Sequence, residues 1–500
     1  MKLCLKLGKP RVFHSVLASA LCLGVLALPS QAATWYVQNS GSGSDTTGTG
    51  SSTQPWFSIS KAVASNSPVQ PGDTIIVRTG WYVESLELGK SGTSSARITL
   101  KNEGDVYLND PTPTSGWWQT GVLMANGKSN WNIEGFKVQN SSWGGITLRS
   151  CSNITVQRCH TYRTGSSGII ALPNNVSTEG EAEVQSSNIK VLDCIVEEAN
   201  YYEGNASYTA NSGDQEALTI WGVNGFEVAR CRVFNGRTEG IDVKTGSRNG
   251  TVHHNEVYGC AAVTGLQWNT GLDRRSGGPG IYIDGGRANV FNVQVFNNKV
   301  RDNKAEGIAV ADEDSRGSIY DIRVYNNVTY GNGIQGVNSG AGINIASGSN
   351  VDVFMNTSVG DVSGFTVTGG GFGTAYPQNL EVRNNIFANA KYQTIYLQNS
   401  NGTIIDRNLW TTTPANPVNN AGGNTNLSVT SSNIATSNPG LTSTWRILST
   451  SPARNAATWT GANGMTLVAG TDIDDQTRST PDIGADEWVS GAGVASVRQY

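Results

Sequence analysis

The sequence predicts an all-β chain wound as a parallel β-solenoid, and two observations predict it. The first is a recurring phrase: an alternating strand, three further residues to a Cys or Asn, then a second strand that opens with Gly. The valines closing the first strands are Val156, Val191, Val228, Val252, Val295, Val324, Val353 and Val382. Three residues after each come Cys159, Cys194, Cys231, Asn255, Asn298, Asn327, Asn356 and Asn385. A period near two dozen residues, lengthened by insertions, is the signature of a coil of stacked rungs. The second is composition: Gly accounts for 60 of 500 residues, and charged residues for only 15%. That balance suits turn-rich β structure with polar ladders. In such a coil each position lies over its counterpart about 4.8 Å away, so columns of sequence become columns in space.

Residues 1–32 read as a secretory signal peptide. Lys2, Lys6, Lys9 and Arg11 precede an apolar run from Val16 to Leu28, and Ser30-Gln31-Ala32 offers small residues for cleavage. The run is too short to span a bilayer, so the mature chain is expected to be exported and soluble, with no membrane span. Residues 33–118 read as an entry cap with the first rungs. Phe57, Ile59, Ala62 and Val63 fit a short amphipathic helix, Pro71-Gly72-Asp73 a turn, and Trp35, Trp56 and Trp81 structural aromatics. The coil proper spans 119–410. Residues 411–500 read as a C-terminal capping region. Its Asp472-Ile473-Asp474-Asp475 and Asp482 to Glu487 clusters suit turn-forming carboxylates better than a calcium loop.

Seven Cys are present, two of them (Cys4 and Cys22) in the signal region. Export permits disulfides, but Cys159, Cys194 and Cys231 hold the position that Asn fills later. They read as a buried stack that turns into an Asn ladder, whose amides satisfy one another along the axis. A net charge of −4 gives no basic footprint for nucleic acid.

The second strands carry the chemistry. Their first alternate column reads Thr147, Ile170, Thr219, Asp242, Tyr282, Ala309, Asn344, Tyr396. The second reads Arg149, Leu172, Trp221, Lys244, Asp284, Ala311, Ala346, Gln398. Both are expected to face solvent, and a third column at the preceding turn holds Glu216, Glu239 and Glu306. Two insertions open beside the charged rungs. One, near 197–215, holds Tyr201, Tyr202, Tyr208 and Asp214; the other, near 259–279, holds Trp268, Asp273, Arg274 and Arg275. Long loops on a rigid scaffold carry function. The resulting groove suits a polysaccharide, with Trp221, Trp268, Tyr282 and Asp284 as substrate contacts.

Lys244 has two readings. One is a solvated ion pair with Asp242 or Asp284; the other is a Brønsted base whose pKa is lowered by desolvation and a metal. Calcium takes oxygen ligands, and Asp214, Glu216, Glu239 and Asp242 lie on adjacent rungs. A surface acidic ladder without metal fits the same spacing.

The stretch Glu239-Gly-Ile-Asp-Val-Lys244-Thr-Gly-Ser-Arg-Asn249 resembles the secreted right-handed parallel β-helix proteins, and among them the family 9 pectate lyases and family 6 alginate/chondroitin lyases. The entry segment Pro71-Gly72-Asp73-Thr74 with Arg78-Thr-Gly80, and the ending Asp482-Ile-Gly-Ala-Asp-Glu487, are similar to the caps of that superfamily. The resemblance implies a lysine base at Lys244 and calcium held by acidic residues. It also implies an arginine partner, for which Arg274 and Arg275 are the candidates. Three functions follow as expectations: a calcium-dependent polysaccharide lyase, a glycoside hydrolase using Asp242 and Asp284, or a non-catalytic carbohydrate-binding solenoid. A monomer is expected.

Overall fold

The computed structural model describes residues 31–109, 111, 120–141, 143–174, 180–200, 216–262, 278–333, 340–369, 375–414, 417–461 and 469–489. The coil is observed as expected. Each regular turn contributes three strands, for example Val223–Ala229, Arg232–Phe234 and Ile241–Lys244, followed one turn later by Arg248–His253, Glu256–Tyr258 and Ile281–Gly285. Every pairing between named strands is parallel, and the described strands fall into a 24-stranded and a 12-stranded sheet. The 12-stranded sheet holds the predicted second strands, with Ser363–Thr368 between Ala341–Ile345 and Gln393–Gln398. That rung escaped the sequence reading because it opens Ser-Gly-Phe, flanked by Thr, rather than Gly-Ile. Parallel pairing begins at Thr34–Val37 and continues to Ile434–Thr436, past the expected end near 410.

The coil turns its corners through the left-handed region. Arg158, Asp193, Arg230, His254, Asn297, Asn326, Met355 and Asn384 all have φ between 52° and 57°. Each stands two residues after a phrase valine and immediately before its Cys or Asn. The spacing of three is therefore a corner: a strand end, an αL residue, then an inward side chain. At the other end of the phrase, a Cβ on Gly240 would lie 2.4 Å from the Gly280 carbonyl oxygen and 2.5 Å from Val257. Successive turns approach too closely there for any side chain.

Inside the corner runs the predicted ladder. Asn298 donates from N and Nδ2 to Asn327 Oδ1 at 3.0 and 2.9 Å, and Asn327 repeats the pattern onto Asn356. Asn327 Nδ2 also reaches the Val295 carbonyl at 2.9 Å. The ladder continues through Asn385 and Asn408 to Asn433. Cys159, Cys194 and Cys231 extend the column as buried free thiols. A second ladder was not foreseen: Asn303 donates to Asn332 Oδ1 at 2.9 Å, and Asn332 to Asp361 Oδ1 at 2.8 Å. Thr329 and Ser358 hydroxyls close it on Asp361 Oδ2 at 2.9 and 2.7 Å.

The caps follow the same accounting of backbone groups. The helix Ile59–Val63 starts at Ser58, whose hydroxyl accepts from Lys61 N, and buries Ile59, Ala62 and Val63. Phe57, expected on its apolar face, precedes the helix and is 48% exposed. At the other end, Asp472 accepts from the amides of Asp474, Gln476 and Glu487, and Asp482 from those of Asn455 and Trp488. These carboxylates are consumed as turn and cap acceptors. Trp35 and Trp56 stack 5.1 Å apart as structural aromatics, whereas Trp81, expected to join them, is 58% exposed. Among the described residues no helix is long and apolar enough to cross a membrane.

Two predictions follow from the ladders. Asn327→Leu orphans the donors of Asn298 and the acceptors of Val295 and Asn356, so it should cost at least about 3 kcal/mol; an unchanged melting temperature would count against the ladder. Burial lifts the Asp361 carboxyl to about 6 from 3.8. The folded chain then keeps a proton that the unfolded chain releases, so this group's contribution falls as pH rises from about 4 to 6 and stays low above. Asp361→Asn should raise the melting temperature at pH 7 and flatten its pH dependence across that window, measured by circular dichroism.

Candidate functional site

The site grows out of two neighbouring columns of the 12-stranded sheet. Thr219, Asp242, Tyr282 and Ala309 lie in register on successive strands, and so do Trp221, Lys244, Asp284 and Ala311. The predicted columns are thus columns in space, extended at Asn344 to Thr366 and on to Tyr396. They are not open to solvent as expected. Thr147, Thr219, Asp242, Tyr282 and Asp284 are all buried, because turn residues fold over the sheet. Glu216 accepts from the Thr219 hydroxyl at 3.0 Å, and Glu313 from the Tyr282 hydroxyl at 3.3 Å.

Lys244 is the centre of the cluster. Its Nζ pairs with Glu216 Oε1 and lies 3.5 Å from Asp242 Oδ2 and 3.6 Å from Asp284 Oδ2. The lysine side chain is 20% exposed, so the solvated-pair reading fails in its simple form. Burial works against the ammonium, but Glu216, Asp242 and Asp284 outweigh it and hold the amine well above its usual range. Burial pushes Asp242 and Asp284 well up, with neighbouring carboxylates adding to the rise and Lys244 opposing it. Glu239 is lifted to about 7 by burial and by Glu216. One ammonium therefore faces more carboxyls than it can neutralise. The cluster favours the charged lysine and the protonated forms of Asp242, Asp284 and Glu239, a shared titration rather than separate ones.

Trp221, expected as a sugar-stacking surface, is 6% exposed. Its indole Nε1 donates to Glu183 Oε2 at 2.8 Å, and Lys244 Nζ and Arg287 lie over the ring at 5.9 and 5.4 Å. Arg287 grips Glu183 through two bonds of 2.6 and 2.9 Å. Stacking the columns could not find Glu183 or Arg287. Both come from turn segments, Gly180–Glu183 and the residues after Ile281–Gly285, whose lengths vary from rung to rung. Asp214, Trp268, Arg274 and Arg275 lie outside the described residues, as do Tyr201, Tyr202 and Tyr208.

Neither carboxylate oxygen of Asp242, nor Oδ1 of Asp284, has a hydrogen-bond partner among the described residues. Buried, unpartnered carboxylate oxygens suit a hard cation. As the side chains stand, however, Lys244 occupies the space between them. Among the described residues no three acidic, His or Cys side chains are arranged to hold a metal ion.

Comparison with known proteins agrees with this architecture. The family described as "Right handed beta helix region" matches residues 120–328. The uncharacterised protein YwoF of Bacillus subtilis (strain 168) is 26% identical over 281 residues, covering 54% of this chain and 56% of that protein. The chain thus spans about half the length of the curated relative it matches. Among solved structures, pectate lyase Pel9A aligns with a TM-score of 0.55 at 19% identity, over 92% of this chain and 97% of that one. The A-module of mannuronan C-5 epimerase AlgE6 from Azotobacter vinelandii aligns with a TM-score of 0.50 at 14% identity, over 73% and 91%. The fold is a right-handed parallel β-helix resembling that of polysaccharide lyases.

Because Lys244 is partly enclosed and pairs with buried carboxyls, Lys244→Ala should not leave folding untouched, as a fully solvated side chain would. Removing one partner of a buried pair costs about 3 kcal/mol or more. The loss in melting temperature should be larger at pH 8 than at pH 5, as Glu239, lifted to about 7, takes up its proton. A loss independent of pH would contradict the charge assignment.

Proposed function

We propose that the chain is an exported enzyme that cleaves a uronic-acid-containing polysaccharide by β-elimination at Lys244. The observation that carries this reading is one lysine amine within reach of three buried carboxyls, Glu216, Asp242 and Asp284. The fold is shared with a pectate lyase and a mannuronan epimerase, which brings uronate polymers forward as substrates. Lys244 first passes its ammonium proton to a neighbouring carboxylate, and the neutral Nζ then takes the C5 proton of the uronate. The C5–H electrons form the C4–C5 double bond, the C4–O bond breaks, and the leaving oxygen takes a proton. Asp284 supplies that proton, since burial favours its protonated form. Arg274 and Arg275 are the proposed partners of the substrate carboxylate, and Trp268, Tyr282 and Trp221 shape the groove. Calcium held by Asp214, Glu216, Glu239 and Asp242 would neutralise the substrate carboxylate and draw negative charge away from Lys244.

A second reading is favoured by the same protonated carboxyls: a glycoside hydrolase in which Asp242 and Asp284 form the acid and base pair. Lys244→Arg separates the two. Arginine keeps the buried cation but does not give up its proton at working pH.

The test is ultraviolet absorbance of the protein with pectate, alginate and chondroitin, each with calcium and with chelator. A lyase gives a rise from the unsaturated product that falls by about 10²–10⁴-fold in Lys244→Arg. New reducing ends without absorbance, retained in Lys244→Arg, would replace the lyase by the hydrolase.

A further inference from the structure

An aromatic and polar column with a cavity beside it lies on another face of the coil. Trp81, Tyr107, Lys137 and His160 stand in register on Thr74–Val83, Ile98–Asn109, Ser129–Gln139 and His160–Tyr162, strands of the 24-stranded sheet. Lys244 belongs to the other sheet and to a later turn. Beside this column is a cavity of about 260 Å³ lined by Tyr107, Lys137, Val138, Gln139, His160, Tyr162 and Glu197. That is just under the about 300 Å³ at which ordinary small-molecule pockets begin.

Its walls are aromatic and polar, and Trp81 stands outside the cavity on the neighbouring rung, against the lining residue Tyr107. Trp81 is 58% exposed, yet its ring is held 4.1 Å from Tyr107 and within 5° of parallel. An exposed indole fixed in one plane is a ready surface for the C–H face of a pyranose. Lys137 Nζ braces Tyr107 from 4.9 Å and is itself bonded to Asp105 Oδ1 at 2.9 Å. Deeper in, His160 Nε2 and Glu197 Oε2 are 2.9 Å apart, and Gln139 adds an amide. Lys137 is paired by Asp105 and His160 by Glu197, so the pocket offers polar partners for hydroxyls rather than one strong charge.

We propose that this pocket is a non-catalytic binding site for pyranose units of a polysaccharide chain, with Trp81 carrying one unit and the His160–Glu197 pair gripping the hydroxyls of a unit further along, three strand spacings (about 14 Å) away. The site does not depend on the chemistry at Lys244. On a rigid solenoid it holds polymer at a fixed distance from the acidic cluster, raising the local concentration of substrate.

The experiment is titration calorimetry on the full chain carrying Lys244→Arg, which preserves the buried cation and prevents turnover by a lysine base. The probes are tetragalacturonate, tetramannuronate and xylotetraose. At least one should bind, and Trp81→Ala or Glu197→Gln should weaken it by tenfold or more. Both variants should melt like the parent, since Trp81 is exposed and Glu197→Gln keeps its shape. In the wild type, Trp81→Ala should slow attack on polymer while leaving attack on a tetrasaccharide unchanged. The proposal is overturned if no probe binds, or if binding survives both substitutions.

Discussion

The constraint on which everything else depends is the parallel stacking of equivalent positions, one strand spacing apart, along a single axis. It makes each side chain a neighbour of its own counterpart above and below. Side chains that attract their own kind are therefore rewarded repeatedly. Apolar valines form the continuous core, and Asn amides, which both donate and accept, form ladders through the corners. The αL residues before those amides allow the chain to turn without losing register. The corner exposes a backbone N–H to the interior, and the next rung's Asn Oδ1 accepts it, as Asn327 does for Asn298.

The same constraint makes charge expensive. A carboxylate on one rung faces whatever the adjacent rung presents at the same height, and repetition offers no room to move aside. The cluster at Glu216, Asp242, Lys244 and Asp284 breaks the pattern of compatible neighbours, in a buried setting where unpaired charge is most costly. Asp361, another buried acid, instead ends a ladder by accepting from Asn332, Thr329 and Ser358. Asp242 has no such partners among the described residues. A local violation of otherwise consistent rules is what makes this cluster the candidate site.

Much of this was legible in the sequence because the fold is one-dimensional. Once Val156 through Val382 set the phase, reading down the repeats placed Asp242 beside Thr219 and Tyr282, and Lys244 beside Trp221 and Asp284. What stayed hidden has physical reasons. The ladder of Asn303, Asn332 and Asp361 sits at a second corner that the valines do not mark. Glu183 and Arg287 reach the site from turns of unequal length, so no column contains them. Burial was misjudged because alternation says which face a side chain takes, not what folds over that face.

The two tryptophans argue the point. Trp221 lies beside the acidic cluster, where a sugar platform was expected, but its N–H is spent on Glu183 and its ring faces two cations. In that setting the indole fixes the position of Lys244 and Arg287 more than it offers a surface. Trp81 lies in the cap, where burial was expected, yet it stands on Tyr107 with most of its ring in water. A stacked pair contributes about 1 kcal/mol beyond its buried area, which does not require the outer ring to be tryptophan. Exposed aromatic area is most economically explained by something that covers it. Among the described residues the coil therefore gathers charge on one sheet and exposes a stacked aromatic pair on the other.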